Sequence, residues 1–185
     1  WSATTLDPVP PHVPAGHHRG VRWQNHGCEP TAVELADGRI WMVIRTSQDN
    51  HYESFSDDGG ETWTPPAPSR FHGTLTMPAF FRMSDGRMLF FWCNTTPLPE
   101  LDHNLQQGLL DWERDGRGED VFTNRDALHA AVSEDDGRTW SGFREILLNE
   151  RRNDADFRTS GGNDDSLDKS VHQSQAIELP GGKVL

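Results

Sequence analysis

The sequence predicts an all-β fold in which short four-stranded sheets repeat around a channel, the β-propeller, and three observations predict it. First, Glu29–Arg45 (EPTAVELADGRIWMVIR) and Met77–Cys93 (MPAFFRMSDGRMLFFWC) align without a gap at an offset of 48 residues. Second, each copy is followed by the same octapeptide pattern, Ser56-Asp57-Asp58-Gly59-Gly60-Glu61-Thr62-Trp63 and Ser133-Glu134-Asp135-Asp136-Gly137-Arg138-Thr139-Trp140. Third, no stretch sustains a 3.6-residue apolar period, and Gly and Pro interrupt the chain every few residues. A strand-rich unit repeated at this period marks blades stacked around an axis and disfavours a helical solenoid.

Within each copy a Pro stands second, an Asp-Gly pair stands in the middle, and an aromatic and aliphatic run follows. Each half reads as a strand, and Asp-Gly between two such runs signals a hairpin. His51 to Phe55 and Ala127 to Val132 supply the third strands, and the octapeptide leads to the fourth. A third copy begins at Gln173 (QSQAIELPGGKVL), 96 residues after the second, with Gly181-Gly182 in place of Asp-Gly. The expected organisation is a lead-in over 1–26, a first blade over 27–68, a second over 75–146 with an insertion at 95–124, and the start of a third over 171–185. About three blades cannot close a ring of four to eight, so the chain reads as part of a propeller. Thr95–Asn124 and Asn149–Ser170 break the rhythm, as functional loops on a rigid scaffold often do. Leu105–Trp112 is expected to form a short helix.

The octapeptide suits a tight turn: Ser and Asp side chains bond backbone amides, Gly takes positive φ, and Trp packs under the turn. Its residues all have turn or packing work, so the motif speaks for architecture and is nearly silent on chemistry.

The chain has 185 residues, 34% of them hydrophobic, which suffices for a core, and a mean hydropathy of −0.74. The longest apolar runs, such as Met88–Cys93, have strand length and fall far short of the roughly 20 residues that span a bilayer, so no membrane span is expected. A net charge of −12 argues against a nucleic-acid partner. Yet 15 of the 17 cationic side chains are Arg, the residue suited to bidentate contact with a carboxylate. Cys28 and Cys93 are too few for a disulfide framework and stand in no metal-ligand spacing. His17 and His18 read as a solvated pair, Asp164, Asp165 and Asp168 as a solvated acidic loop, and Arg39 and Arg87 as solvated turn residues. Neither a metal nor a cofactor is expected. The chain begins at Trp1 without a visible leader, as a processed chain or a segment would.

The octapeptide is the Asp box. Together with the P-x-x-x-x-(L/M)-x-D-G strands it makes the chain from Gly27 onward resemble the sialidase (neuraminidase) superfamily of BNR-repeat propellers. The resemblance implies a sialidase-type propeller, six-bladed when complete, and a glycoside hydrolase acting on terminal acidic sugars of glycans. In that family a Glu opens the innermost strand of one blade and polarises a catalytic Tyr, while an Arg closing the next strand grips the substrate carboxylate. Glu29 and Arg45 match these positions. A further carboxylate-binding Arg precedes an Asp box as R-x-x-L-x-x-x-x-S, which Arg125, Leu128 and Ser133 reproduce. The internal repeat supports the same choices, because Met77, Cys93 and Gln48 stand where Glu29, Arg45 and Arg125 do. Scaffold duties recur from blade to blade, and these charges do not.

One position departs from the family. Where a Tyr nucleophile begins the inner strand of a later blade, this chain has Gln173, whose amide is neither nucleophile nor base. The adjacent His172 is a candidate general base or nucleophile. Tyr52, the single tyrosine, reads as a packing residue. Two other classes remain beside the sialidase-like hydrolase: a lyase or hydrolase on uronic-acid glycans that uses a His, and a non-catalytic glycan-binding propeller. All three take a glycan or oligosaccharide, which places the protein outside the cytoplasm, secreted or periplasmic.

Overall fold

The computed structural model describes residues 27–46, 50–73, 76–94, 127–148, 171 and 173–185. Among them are ten strands and no helix. The expected helix at Leu105–Trp112, most of the insertion at 95–124 and the interval 149–170 lie outside the described residues. No helix of the described residues is long and apolar enough to cross a membrane.

The first sheet is a meander of β1 (Cys28–Glu34), β2 (Ile40–Arg45), β3 (Asn50–Ser56) and β4 (Ala67–His72), in spatial order β1-β2-β3-β4. The second repeats it with β5 (Ala79–Arg82), β6 (Met88–Trp92), β7 (Ala127–Ser133) and β8 (Ser141–Leu148). All pairings are antiparallel. The third copy forms the two-stranded hairpin of β9 (Glu178–Leu179) and β10 (Lys183–Val184). These sheets are the blades of the propeller that the repeat predicted.

Sequence alternation explains the packing. In β2 and β6 the runs IWMVIR and MLFFW are largely buried, as befits strands inside a blade. Their inward side chains join Val33, Leu35, Phe71 and Ala131 in one core. That core is mostly aromatic: ring centroids lie 4.8 Å apart for Trp41 and Phe80, 4.7 Å for Phe80 and Phe90, and 4.1 Å for Phe71 and Phe90. Rings from both sheets therefore interleave, and each fully buried one stabilises the pairing of blades by roughly 1.5–3 kcal/mol. The first strands of the two sheets approach each other, and the backbone N–H of Phe80 donates to Thr31 Oγ1 at 3.1 Å.

Both octapeptides form the same turn. Ser56 Oγ donates to Asp58 Oδ1 at 2.8 Å and accepts from the Gly60 N–H at 2.8 Å, while Asp58 accepts from the Thr62 N–H at 2.8 Å. Ser133, Asp135, Gly137 and Thr139 repeat each bond within 0.1 Å. The indole N–H groups of Trp63 and Trp140 donate to the Gly60 and Gly137 carbonyls at 3.1 and 3.0 Å. Bonds from Thr62 and Ser56 hold the Asp58 carboxyl down to about 2, and Thr139 lowers Asp135 in the same way.

Carboxylates from the following blade clasp the hairpin turns. Asp136 accepts from the Ala36 N–H at 3.1 Å and pairs with Arg82 at 2.7 Å, and Arg82 also donates to the Glu34 carbonyl at 2.7 Å. At the next junction Glu178 accepts from the Ser84 N–H at 2.7 Å and from its hydroxyl at 2.9 Å. Ala36 and Ser84 occupy the same position of the repeat, just before the Asp-Gly pair. Arg39 and Arg87 pair with Asp37 and Asp85 inside their own exposed turns.

Candidate active site

Strand direction sorts the molecule into two ends. The hairpin turns and octapeptides gather at one; the starts of β1 and β3 and the end of β2 meet at the other. Glu29 and Arg45 belong to this second end, where Cys28 pairs with Arg45. A bulge between Cys28 and Thr31 interrupts the ladder there, and Glu29 sits in it with φ of 43°. For a residue with a Cβ this left-handed backbone costs about 1–3 kcal/mol and is concentrated at functional sites. It re-aims the side chain, as bulges do.

The Glu29 carboxylate accepts from Arg45 Nη1 in an ion pair. Arg45 is only 8% exposed, whereas about a third of the Glu29 side chain, 35%, faces solvent. The pair is thus open on the carboxylate side and closed on the guanidinium side. Arg45 Nε is buried and has no hydrogen-bond partner among the described residues. An unmatched donor on a buried cation is costly, and it leaves Arg45 with capacity for another acceptor.

Behind this pair lies His51, a residue the sequence reading did not single out. It is fully buried in β3, and neither ring nitrogen has a hydrogen-bond partner among the described residues. Burial pushes the imidazole down to about 3; the Ile44 carbonyl opposes this without reaching hydrogen-bond geometry, and the charge of Arg45 reinforces it. The signal in the sequence was Leu128, the apolar residue at the equivalent repeat position. Gly73 makes room for the ring, since a Cβ there would lie 2.4 Å from His51 Nε2.

The BNR repeat-like domain matches residues 11–184. This chain belongs to the BNR repeat-like family. Among solved structures it is similar to a mutant of NanB sialidase from Streptococcus pneumoniae, with 19% identity, 71% of this chain and 17% of that one covered, and a TM-score of 0.43. It is similar to an alpha-L-arabinanase of Penicillium chrysogenum, with 16% identity, 76% and 35% coverage, and a TM-score of 0.38. It is also similar to a protein of unknown function from Dyadobacter fermentans, with 19% identity, 96% and 49% coverage, and a TM-score of 0.46. The chain spans at most about half the length of these structures. No curated protein matches it significantly.

Within the BNR frame, Gln173 occupies the repeat slot of Glu29, and it too has a left-handed backbone, with φ of 63°. Met77, in the same slot of the second copy, does not. The two polar slots share the strained geometry and the apolar one lacks it, so the strain goes with the side chain to be aimed. Cys93 Sγ donates to the Val171 carbonyl at 3.4 Å, tying the approach to Gln173 onto the end of β6. Arg125 and His172 lie outside the described residues. Tyr52 is half-buried in β3, opposite Ile44 of β2 and Pro68 of β4. No group of three or more His, Cys, Asp or Glu among the described residues is placed to hold a metal ion.

Proposed function

We propose that the protein is a glycoside hydrolase that acts on terminal acidic sugars of glycans and works outside the cytoplasm, secreted or periplasmic. The observation that carries this reading is the Glu29–Arg45 pair: a buried guanidinium, fixed by one carboxylate and with an Nε–H lacking an acceptor among the described residues, at the end of the blade opposite the turns. Arg45, with Arg125, binds the sugar carboxylate, and burial strengthens that charge-assisted contact relative to one in water. Glu29 fixes the guanidinium and presents its exposed edge to the reacting group.

Gln173 favours a specific variant of this reading. An amide in the slot of the Tyr nucleophile cannot attack or remove a proton, but it can donate to and accept from sugar hydroxyls. His172 then supplies the proton transfer, which suits a uronic-acid glycan cleaved by hydrolysis or by elimination beside the carboxylate. A binding-only propeller is the reading in which neither residue acts on the substrate.

The test is a panel on the full-length protein: a fluorogenic sialoside, uronic-acid oligosaccharides, and neutral arabinan and galactan fragments. Release of a sugar from an acidic substrate supports hydrolysis. An unsaturated, ultraviolet-absorbing product indicates elimination, and turnover confined to neutral fragments overturns the proposal.

A further inference from the structure

Arg45 has a second polar neighbour besides Glu29. The ladder between β2 and β3 runs in one register from Ile40↔Ser56 to Ile44↔Tyr52, and carrying it one residue further sets Arg45 opposite His51. The two side chains therefore rise from the same face of the sheet, the one on which Val43 packs into the core shared with the second blade. His51 meets that blade edge-on at Phe90, with ring centroids 6.5 Å apart, and the charge of Arg45 reaches it. Glu29 stands on β1, so the order β1-β2-β3 flanks Arg45 with the carboxylate strand on one side and the imidazole strand on the other.

The repeat isolates this trio. In the second blade the ladder between β6 and β7 runs from Met88↔Ser133 to Trp92↔His129, and the same extension sets Cys93 opposite Leu128. Glu29, Arg45 and His51 of the first blade correspond to Met77, Cys93 and Leu128 of the second, all uncharged. A leucine fills the place of His51 there and is buried like it. In the first blade the same place holds a fully buried imidazole whose nitrogens have no hydrogen-bond partner among the described residues, a costly choice if packing were its only duty. The carboxylate, the guanidinium and the imidazole occur together in one blade and are absent together from the other.

Burial keeps His51 uncharged near neutral pH, so it does not repel Arg45, and a neutral imidazole always carries one nitrogen with a lone pair. Arg45 Nε is a buried donor without an acceptor among the described residues. Donor and acceptor share one rung of a dry interface, where a fixed dipole steadies a cation more than it would in water and leucine offers only hydrocarbon.

We propose that His51 is a positioning residue for Arg45: from β3 it steadies the guanidinium on the side opposite Glu29, so that Arg45 meets the substrate carboxylate in one orientation. This rests on the reading that Arg45 binds that carboxylate.

The experiment is steady-state kinetics of the full-length protein on the acidic glycan it turns over best, for the parent, His51→Leu, His51→Gln, Arg45→Ala and the Arg45→Ala/His51→Leu double variant. His51→Leu is expected to raise KM about tenfold with kcat little changed, while the thermal midpoint does not fall, because Leu128 packs in the corresponding place. His51→Gln, which keeps an acceptor, should bring KM back to within about threefold of the parent. In the Arg45→Ala background His51→Leu should lower kcat/KM no further, since its effect runs through the guanidinium. If Arg45→Ala lowers kcat/KM and His51→Leu leaves KM as in the parent, the role of His51 is overturned and carboxylate binding by Arg45 stands. If Arg45→Ala has no effect, both are overturned. A Gln variant as impaired as the Leu variant, or a full additional loss in the Arg45→Ala background, would show His51 acting by packing or independently of Arg45 and would also overturn the proposal.

Discussion

Gly137 of the second blade lies against the ring of Trp41 of the first, so close that a Cβ on Gly137 would stand 2.3 Å from the indole. One turn glycine thereby sets how nearly the blades approach. Gly60 holds the same place in the first octapeptide, with φ of 92° against 78° for Gly137, but a Cβ there would meet only ordinary contacts at 3.6 Å or more. The two substitutions separate backbone strain from contact. Gly60→Ala should cost about 1 kcal/mol, from the positive φ alone. Gly137→Ala should cost about 2–4 kcal/mol, because the clash with Trp41 adds overpacking. Urea unfolding of the two variants checks the difference, and equal losses would contradict it.

The clasp between blades should matter more than the ion pairs within turns. Asp136→Ala strands the Ala36 N–H and removes the partner of Arg82, for an expected loss of roughly 1–3 kcal/mol. Asp85→Ala breaks a fully exposed pair in one turn and should leave the thermal midpoint unchanged.

His51 predicts a pH dependence of stability. Its folded value of about 3 lies below the unfolded 6.5, so the native state binds fewer protons. The contribution is fully present above pH 6.5 and is lost as pH falls toward 3. The expected slope is up to about 1.4 kcal/mol per pH unit in that window. His51→Leu, which copies Leu128, should flatten the profile between pH 6.5 and 4; an unchanged slope in chemical denaturation would contradict the assignment.

Asp58 acts lower on the scale. Its carboxyl is held near 2, so its turn is supported above pH 3.8 and loses that support as pH falls through about 2. Asp58→Asn should lower the thermal midpoint at pH 7, and the gap to the parent should narrow below pH 3.

The repeat made the blades legible. A gap-free offset of 48 residues, Asp-Gly pairs and two octapeptides sufficed to place the strands of two sheets and the hairpin of a third. It also marked Glu29 and Arg45, because their counterparts Met77 and Cys93 are uncharged. What it could not reveal depends on contacts between copies. The fit of Gly137 on Trp41 and the capping of Ala36 and Ser84 by different carboxylates arise only when β-sheets meet. A repeat reports what each blade has in common, and those features differ from blade to blade. His51 was missed for a related reason: its burial follows from Gly73 leaving space just past the end of β4, which no local pattern in β3 records.

The most direct measurement is the kcat/KM of the full-length protein on its best acidic glycan substrate, with and without Arg45→Ala. Loss of about 100-fold or more on that substrate is expected, since a buried charge-assisted contact to the carboxylate is removed. The same kcat/KM with and without Arg45→Ala, or equal turnover of the neutral counterpart, would contradict carboxylate recognition at the Glu29–Arg45 pair.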